Sequence, residues 1–297
     1  MARRRIAEEP VSRLAVWSRR LALFSLAATL VAIVIVRSGA LDIVPALSTV
    51  AGALTLAVFA MLLAFGAGIF IWRDGLRGLR QAVSAVLIAL ALIAYPSYLA
   101  VQDYHLPAIY DVTTDPIDPP QFDRIARLRP RDANPIAYQG LYAAELQHRA
   151  YPDIQPEDTS ASPQTAFDVA MKVMTKRRWR IVNARPPREA GAERLPDLQA
   201  LPGAPARDGV IEAVARSLIL GFPEDVVVRI RPTSDGTRID VRSASRYGHS
   251  DFGSNAARVR GLIADIDDAL TTPEAEQQPE KKPPRPVQPS RRVWAGR

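Results

Sequence analysis

The chain of 297 residues has a formal net charge of +7, no cysteine and three histidines. The absence of cysteine excludes disulfide scaffolds, thiol catalysis, Cys-ligated zinc and iron–sulfur clusters. Three scattered imidazoles predict neither a metal site nor a metal cofactor, and no other cofactor is indicated. The positive charge is mostly arginine and forms no patch interleaved with aromatic residues, so we expect no nucleic-acid partner.

Three stretches near the N-terminus contain no charged residue, namely 21–36, 43–72 and 82–101. An apolar helix of about 20 residues spans a bilayer, so residues 1–102 predict an anchor of three transmembrane helices. Ala60, Ala64 and Gly68 recur at four-residue spacing, which is typical of closely packed helices. Since the spans carry no charged side chain, we do not expect a transporter or channel.

Arginines flank the spans unevenly. They precede the first span and separate the second from the third, at Arg3, Arg4, Arg5, Arg13, Arg19, Arg20, Arg73, Arg77 and Arg80. The first hairpin has only Arg37, and no basic residue except His105 follows the third span before Arg124. The positive-inside rule then predicts a bacterial inner membrane protein with a cytoplasmic N-terminus and a periplasmic C-terminal domain. In the alternative, the first span is a signal peptide cleaved near residues 38–40.

Residues 103–271 predict an α+β domain. Its first part is Pro-rich and irregular, apart from a short helix near 134–148 with Leu141, Ala144 and Leu146 partly buried. Apolar residues at helical spacing predict a helix from Pro163 and a last helix that begins at Ser254 or Asn255. Period-two alternation predicts four strands between them, at 179–183, 210–220, 225–231 and 238–245.

We therefore expect a small antiparallel sheet of about four strands, packed against two helices on one face. The other face is rich in arginine, at Arg229, Arg231, Arg238 and Arg242. These side chains either lie in solvent, paired with Glu212 and Asp240, or face anionic lipid headgroups. Residues 272–297 are rich in proline and charge and predict a disordered tail.

Two strings of the domain, 106–122 and 243–255, together with 221–230 between them, resemble the domain-of-unknown-function family 1499. The resemblance covers about residues 106–270 and implies an extracytoplasmic or membrane-associated domain without an established activity. The chain departs from the family pattern at Tyr110, where a histidine is usual, and at His249, where a basic residue is common. Glu224 also replaces the first of two aspartates. These departures argue against a catalytic imidazole.

The residues between the last strand and the last helix form the strongest candidate site. Arg246, Asp251, Asn255 and Arg258 combine guanidinium groups, a carboxylate and a helix N-terminus, which together can hold an anionic or polar ligand. In the alternative, Asp251 pairs with one of these arginines and caps the turn, while neighbouring glycines adopt positive φ. The ligand-binding candidates are Asp111, Asp225, Arg229, Arg246, Asp251, Asn255 and Arg258.

Two further constellations are weaker. Ser245 or Ser250 with His249 and Asp251 suggests a hydrolytic triad, but no nucleophile elbow is present. Four aspartates lack the spacing of a calcium loop and are expected to be solvated, namely Asp111, Asp115, Asp118 and Asp123. We therefore predict no catalytic and no metal-binding residue.

The sequence predicts a membrane-anchored, extracytoplasmic binding or interaction module of the cell envelope, rather than an enzyme. Its expected partners are the lipid bilayer and either an envelope protein or an anionic ligand. The alternative is an envelope hydrolase that uses carboxylates as general acid and base, which predicts a concave pocket holding a carboxylate of raised pKa. We also expect the Asp-rich string 106–122 to lie beside the string 246–255, because their charges are complementary.

Overall fold

A computed structural model describes residues 10–38, 43–188, 207–217 and 219–272. The helices are α1 (Arg13–Ser38), α2 (Ile43–Asp74), α3 (Leu79–His105), α4 (Arg124–Leu128), α5 (Leu141–Ala150), α6 (Pro163–Lys176) and α7 (Ser254–Thr271). The strands are β1 (Asp111–Thr113), β2 (Glu157–Thr159), β3 (Arg180–Arg185), β4 (Gly209–Arg216), β5 (Pro223–Thr233) and β6 (Gly236–Ser245). Most of the expected tail and of the loop before β4 lies outside the described residues.

The first three helices are each long and apolar enough to cross a membrane, as the uncharged stretches predicted. They are longer than those stretches because each helix continues into its polar flanks, and α3 runs to His105, beyond the expected boundary at residue 102. The expected signal-peptide cleavage site at 38–40 lies mostly outside the described residues. The chain therefore begins with a three-helix unit fit for membrane insertion.

Small side chains line the contacts among these three helices. The buried positions of α1 recur every three or four residues, at Ala15, Ser18, Ala22, Ser25, Thr29, Ala32 and Val36. Ser25 Oγ donates a hydrogen bond to the Ala53 carbonyl of α2 at 2.6 Å. The α2 stripe continues through Ala60 and Ala64 to Ala67, not to Gly68 as expected, because the buried stripe follows alternating steps of four and three residues. Small residues let helix backbones approach closely without a hydrophobic driving force from water.

The rest of the described chain folds around one antiparallel sheet with the strand order β1-β6-β5-β4-β3, and β2 pairs with the other end of β6. This confirms an α+β domain, but with six strands among the described residues instead of about four. The additional strands β1 and β2 have three residues each, too few for alternation to be recognised.

Both faces of the sheet are covered. Helices α6 and α7 cover one face, where Val226, Val228 and Ile239 of the sheet pack in the same buried cluster as Leu262 and Ile266. Residues 115–138 of the Pro-rich segment, which we call the covering segment, cover the other face, where Phe122 and Ile125 pack on Val214 and Val227. The expectation of an open arginine-rich face was therefore wrong, because a segment without regular periodicity folds over it.

In the described part of the chain, Arg37 and Leu106 of the helical unit contact the domain at the end of the sheet where β1 and β5 begin and β4 and β6 finish. Arg37 Nη1 at the end of α1 donates to the Ile219 carbonyl in the β4–β5 loop at 3.1 Å. Leu106, directly after α3, lies against the turn that precedes α7. A Cβ atom added to Gly253 of this turn would lie 3.0 Å from Leu106 Cδ1. We call this end the anchor-proximal end.

Candidate functional site

Charged and apolar side chains alternate along β6, and the charged ones lie on the face of the sheet opposite α6 and α7. Arg238, Asp240, Arg242 and Arg246 share this face with Ala244, since side chains two residues apart point the same way. Ala244 pairs with Asp111 of β1 on one side and with Asp225 of β5 on the other. Because alanine is small, carboxylates and guanidinium groups fill the space around it.

Asp111 and Arg242 form a fully buried ion pair, with both side chains 0% exposed. Arg242 Nη2 donates to Asp111 Oδ2 at 2.6 Å, and Nε donates to Oδ1 at 3.0 Å. Arg242 Nη1 also donates to the Pro120 carbonyl at 3.0 Å, and Nη2 donates to the Ile136 carbonyl at 2.9 Å. The backbone of the covering segment therefore completes the solvation of this charge.

Asp225 accepts hydrogen bonds from two arginines. Arg246 Nη2 donates to its Oδ1 at 2.7 Å, and Arg129 Nε donates to its Oδ2 at 2.7 Å. Arg129 Nη1 also donates to the Asn134 and Pro135 carbonyls at 2.7 and 3.2 Å. One buried carboxylate thus holds two guanidinium groups.

Aromatic rings close this arrangement. The guanidinium carbons of Arg242 and Arg129 lie 4.8 and 5.7 Å from the centre of the Phe122 ring, and that of Arg242 lies 5.6 Å from the Tyr138 ring. Such cation–π contacts stabilise a desolvated cation. We call Arg129, Arg242, Arg246, Asp111 and Asp225, with these two rings, the arginine cluster.

Two polar atoms of the arginine cluster are buried and form no hydrogen bond within the described part of the chain, Arg129 Nη2 and Tyr138 Oη. The Arg129 side chain is only 5% exposed. Burial, with the charge of Asp111, raises the pKa of Tyr138, so its hydroxyl keeps its proton over the physiological range. Both atoms are therefore hydrogen-bond donors, and neither has an acceptor among the described residues.

The remaining arginines of this face are also paired with carboxylates. Arg229 Nη2 donates to Asp240 at 2.7 Å and its Nη1 donates to Asp118 at 3.0 Å. Arg231 also contacts Asp118, at 2.6 Å, and Arg238 contacts Asp115 at 3.0 Å. The predicted pairing with Asp240 is confirmed, but a basic face directed at lipid is wrong, because acidic residues of the covering segment meet these guanidinium groups.

A second polar cluster lies on the opposite face, beneath the N-terminus of α7. Asp251 accepts the backbone N–H groups of Gly253 and Asn255 at 2.9 and 2.7 Å. Burial raises the pKa of Asp251, against the lowering effect of these donors. Arg258 Nη1 donates to Asn255 Oδ1 and Ser243 Oγ at 2.7 and 2.9 Å, and its Nη2 contacts Glu224.

The predicted site residues thus divide between two faces of the sheet. Asp111, Asp225 and Arg246 belong to the arginine cluster, while Asp251, Asn255 and Arg258 belong to the cluster beneath α7; Arg229 lies further along the sheet. Asp251 caps the turn as the alternative predicted, with Gly248 and Gly253 at φ 88° and 78°. However, the arginines contact Asp225 and Glu224 instead of Asp251, and Gly253 rather than Ser254 or Asn255 occupies the N-cap position.

The two weaker constellations do not assemble. Ser245 Oγ accepts from Asn255, Ser250 Oγ accepts the N–H of Phe252 at 3.4 Å, and His249 is exposed. Asp115 and Asp118 contact arginines rather than solvent alone. Among the residues that the structure describes, no group of three or more metal-ligating side chains is present.

Sequence reasoning missed Arg129, Tyr138 and Glu224 as members of these clusters. Arg129 and Tyr138 come from the irregular Pro-rich segment, where no periodicity indicates a buried position. Arg242 was placed on the correct face, but its burial depends on that same segment. The proximity of the strings 106–122 and 246–255 is confirmed, since Asp251 N–H donates to the Ile109 carbonyl at 3.1 Å.

The fold and these clusters define a class of protein: an α+β domain with an ionic layer on its sheet, joined to three helices suited to a membrane. The sequence profile described as "Protein of unknown function (DUF1499)" matches residues 111–266. This is more than half of the chain, and the protein therefore belongs to that family. No curated protein and no solved structure matches the chain.

Proposed function

We propose that this protein is a membrane-anchored binding module of the bacterial cell envelope, whose domain lies on the periplasmic side and binds an anionic group at the arginine cluster. The periplasmic placement of the domain is supported by the arginines at the end of the three helices that lies away from the domain. Arg77 lies there, where its backbone N–H donates to the Pro10 carbonyl and its carbonyl accepts the Ser12 N–H. The domain joins the opposite end through Arg37 and Leu106.

The observation that carries the proposal is the charge of the arginine cluster. Three guanidinium groups share two carboxylates, so the cluster carries a formal net charge of +1. Within the described part of the chain, the Arg129 Nη2 donor and the Tyr138 hydroxyl, both members of the cluster, are also without an acceptor. An uncompensated buried charge costs several kcal/mol, and a bound anion removes that cost. Phosphate and carboxylate groups are both chemically suitable ligands, because each accepts hydrogen bonds from a guanidinium and a hydroxyl.

Arg129→Met tests the site, because this variant leaves two arginines for two carboxylates. The full chain is reconstituted in phosphatidylcholine nanodiscs, and its thermal unfolding is measured with and without inorganic phosphate. Phosphate at about 100 times its Kd stabilises the folded wild type by about 2.7 kcal/mol. We expect this stabilisation to disappear in Arg129→Met and to weaken in Tyr138→Phe. Arg127→Met is the matched control, since that arginine is exposed.

Repeating the measurement in phosphatidylglycerol nanodiscs without phosphate identifies the source of the anion. If the natural ligand is a lipid headgroup, the anionic disc alone stabilises the wild type and not Arg129→Met. If it is a soluble anion, only added phosphate does so. A wild type that responds to neither probe, or a variant that responds as the wild type does, contradicts the proposed function.

One observation favours the alternative, an envelope hydrolase. A cavity of about 250 Å³ between β2 and α7 is lined by Asp153, Glu157, Asp267 and Arg260, with Ile263. Burial and two neighbouring carboxylates raise the pKa of Glu157, as a general acid requires. A hydrolase at this cavity predicts turnover of p-nitrophenyl esters or glycosides that Glu157→Gln abolishes and Glu145→Gln, at an exposed position, preserves. Absence of turnover in the wild type rejects this alternative.

A further inference from the structure

Three loops of the domain gather at the anchor-proximal end of the sheet. The first is the β4–β5 loop, which contacts Arg37. The second is the turn before α7, where Asp251 N–H donates to Ile109, only four residues after α3 ends. The third leads into α5, where Gln139 Oε1 accepts the Tyr110 N–H at 3.4 Å. All three loops therefore contact residues that lie at, or within five residues of, the end of α1 or α3.

Two of these loops present large apolar side chains outward. Phe252 in the turn before α7 is 38% exposed, and Leu141 and Tyr142 in the first turn of α5 are 83% and 76% exposed. The exposure of Leu141 corrects the expectation that it is partly buried; Ala143 and Gln147 form the buried side of α5 instead. Tyr98 and Tyr104, in the last turns of α3, are also exposed.

The backbone at Phe252 is unusual. Its φ is 53°, in the left-handed region that a bulky side chain seldom adopts, at a cost on the order of 1 kcal/mol or more. The following Gly253 also has positive φ, 78°, and lies against Leu106. The turn thus holds an aromatic side chain at the surface, next to the residue that leaves α3, although burial of that ring would be favourable.

We propose that Leu141, Tyr142 and Phe252 form a docking face for the lipid bilayer, which seats the anchor-proximal end of the domain on the membrane surface. The bilayer is the occupant because this face is continuous with the end of α3. Tyr110 follows His105 by five residues, so even a fully extended chain keeps it within about 18 Å of the helix end. Aromatic side chains and leucine are the residues that favour the membrane interface.

Docking gives the domain one orientation. The strands stand on the membrane at the ends marked by Asp111, Pro223 and Ser245, and the β5–β6 hairpin at Thr233–Gly236 points away. Asp225 and Arg246 of the arginine cluster lie at the docked end, which brings the cluster near the headgroups. The docking face itself does not depend on anion binding by that cluster.

The absence of cysteine allows a direct test with single nitroxide labels. Leu141→Cys and Phe252→Cys are labelled in the full chain, reconstituted as one copy per phosphatidylcholine nanodisc so that contacts between copies cannot shield the label. Ile117→Cys is the matched control. It is 93% exposed, and its neighbours Asp115 and Asp118 contact Arg238 and Arg231, towards the far end of the strands.

Collision rates of each label with oxygen, which concentrates in lipid, and with a water-soluble nickel chelate are compared. We expect labels at 141 and 252 to collide at least about threefold more with oxygen relative to nickel than the label at 117. Equal ratios at all three positions, or a water-like ratio at either 141 or 252, overturn the docking face. Phosphate stabilisation of the same samples is scored separately, so failure of docking and failure of anion binding are distinguishable.

Discussion

Arg242 is the largest fully buried side chain in the described part of the chain. Its charge is balanced by Asp111 and its other donors by two backbone carbonyls. The energetic value of such a pair is small, but removal of one partner leaves the other charge buried and unpaired. The residue is therefore tolerated only while its partner and the covering segment stay in place.

Arg242→Met should destabilise the domain by about 3–5 kcal/mol, because Asp111 then lies buried without a cation. The double variant Asp111→Leu with Arg242→Met should recover a large part of this loss, since it removes both charges from the interior. Urea titration of the full chain, followed by the circular dichroism of the sheet, measures both. A double variant less stable than Arg242→Met alone would show that the pair itself stabilises the fold.

Asp118 provides a pH-dependent test on the exposed edge of the same face. Hydrogen bonding from Arg231, with the charge of Arg229, lowers the pKa of this carboxyl. Its contribution to stability is therefore present above the ordinary value of 3.8 and is lost as pH falls through the lowered value. The difference in unfolding free energy between wild type and Asp118→Asn should be below about 1 kcal/mol at pH 6, because the side chain is exposed, and should vanish near pH 2. A difference that grows on acidification contradicts the lowered pKa.

The ion-pair partners of individual arginines were the least predictable feature of the structure. Alternation along β6 placed Arg238 and Arg242 on one face, but the identity of their carboxylates depends on cross-strand register and on the segment before α5. The alternative in which Asp251 pairs with Arg246 or Arg258 failed for this reason, because these arginines contact Asp225 and Glu224 of β5 instead. The turn capped by Asp251, a local interaction, followed from residue types, and so did the pairing of arginines with Asp240.

Among the elements, α4 depends on a carboxylate far away in sequence. Glu212 in β4 accepts the backbone N–H groups of Asp123, Arg124 and Ile125 at 2.9, 3.2 and 2.8 Å. The first N–H groups of a helix have no partner within the helix, and a helix of five residues has little stability of its own. Glu212 therefore holds the covering segment on the sheet, instead of pairing with an arginine as expected.

Glu212→Ala should destabilise the domain by about 2–3 kcal/mol, because it leaves three backbone donors without a charged acceptor. Hydrogen exchange at residues 123–129 should accelerate at least tenfold while exchange in α6 changes little. Glu145→Ala, at an exposed position of α5, is the control. Uniform acceleration across both segments would show that Glu212 acts on the whole sheet and not on α4.

Elements with a clear period were predicted close to their observed bounds, as α6 and β6 illustrate. The strands β1 and β2 and the helix α4 were not, because elements of three to five residues carry no readable period. These short elements nevertheless decide that the arginine face is buried. Tertiary contacts with Glu212 and β6, rather than local propensity, determine their structure.

At the scale of the whole molecule, the division into a helical unit and an α+β domain was evident from the sequence. Uncharged stretches of about 20 residues and alternating strands are strong signals, and both were confirmed. The docking face could not be predicted, because exposure of Leu141 and Phe252 depends on where the loops meet the end of α3. The proposed role in the cell envelope depends on the placement of the domain on the periplasmic side of the membrane.

Single-cysteine labelling in intact cells tests that placement most directly. Ile117→Cys reports on the domain, and Asp74→Cys reports on the exposed junction between α2 and α3 at the opposite end of the helices. A maleimide that cannot cross the cytoplasmic membrane, given access to the periplasm, should label position 117 in intact cells and position 74 only after lysis. Labelling of position 74 in intact cells, with position 117 protected until lysis, would place the domain in the cytoplasm and contradict the account.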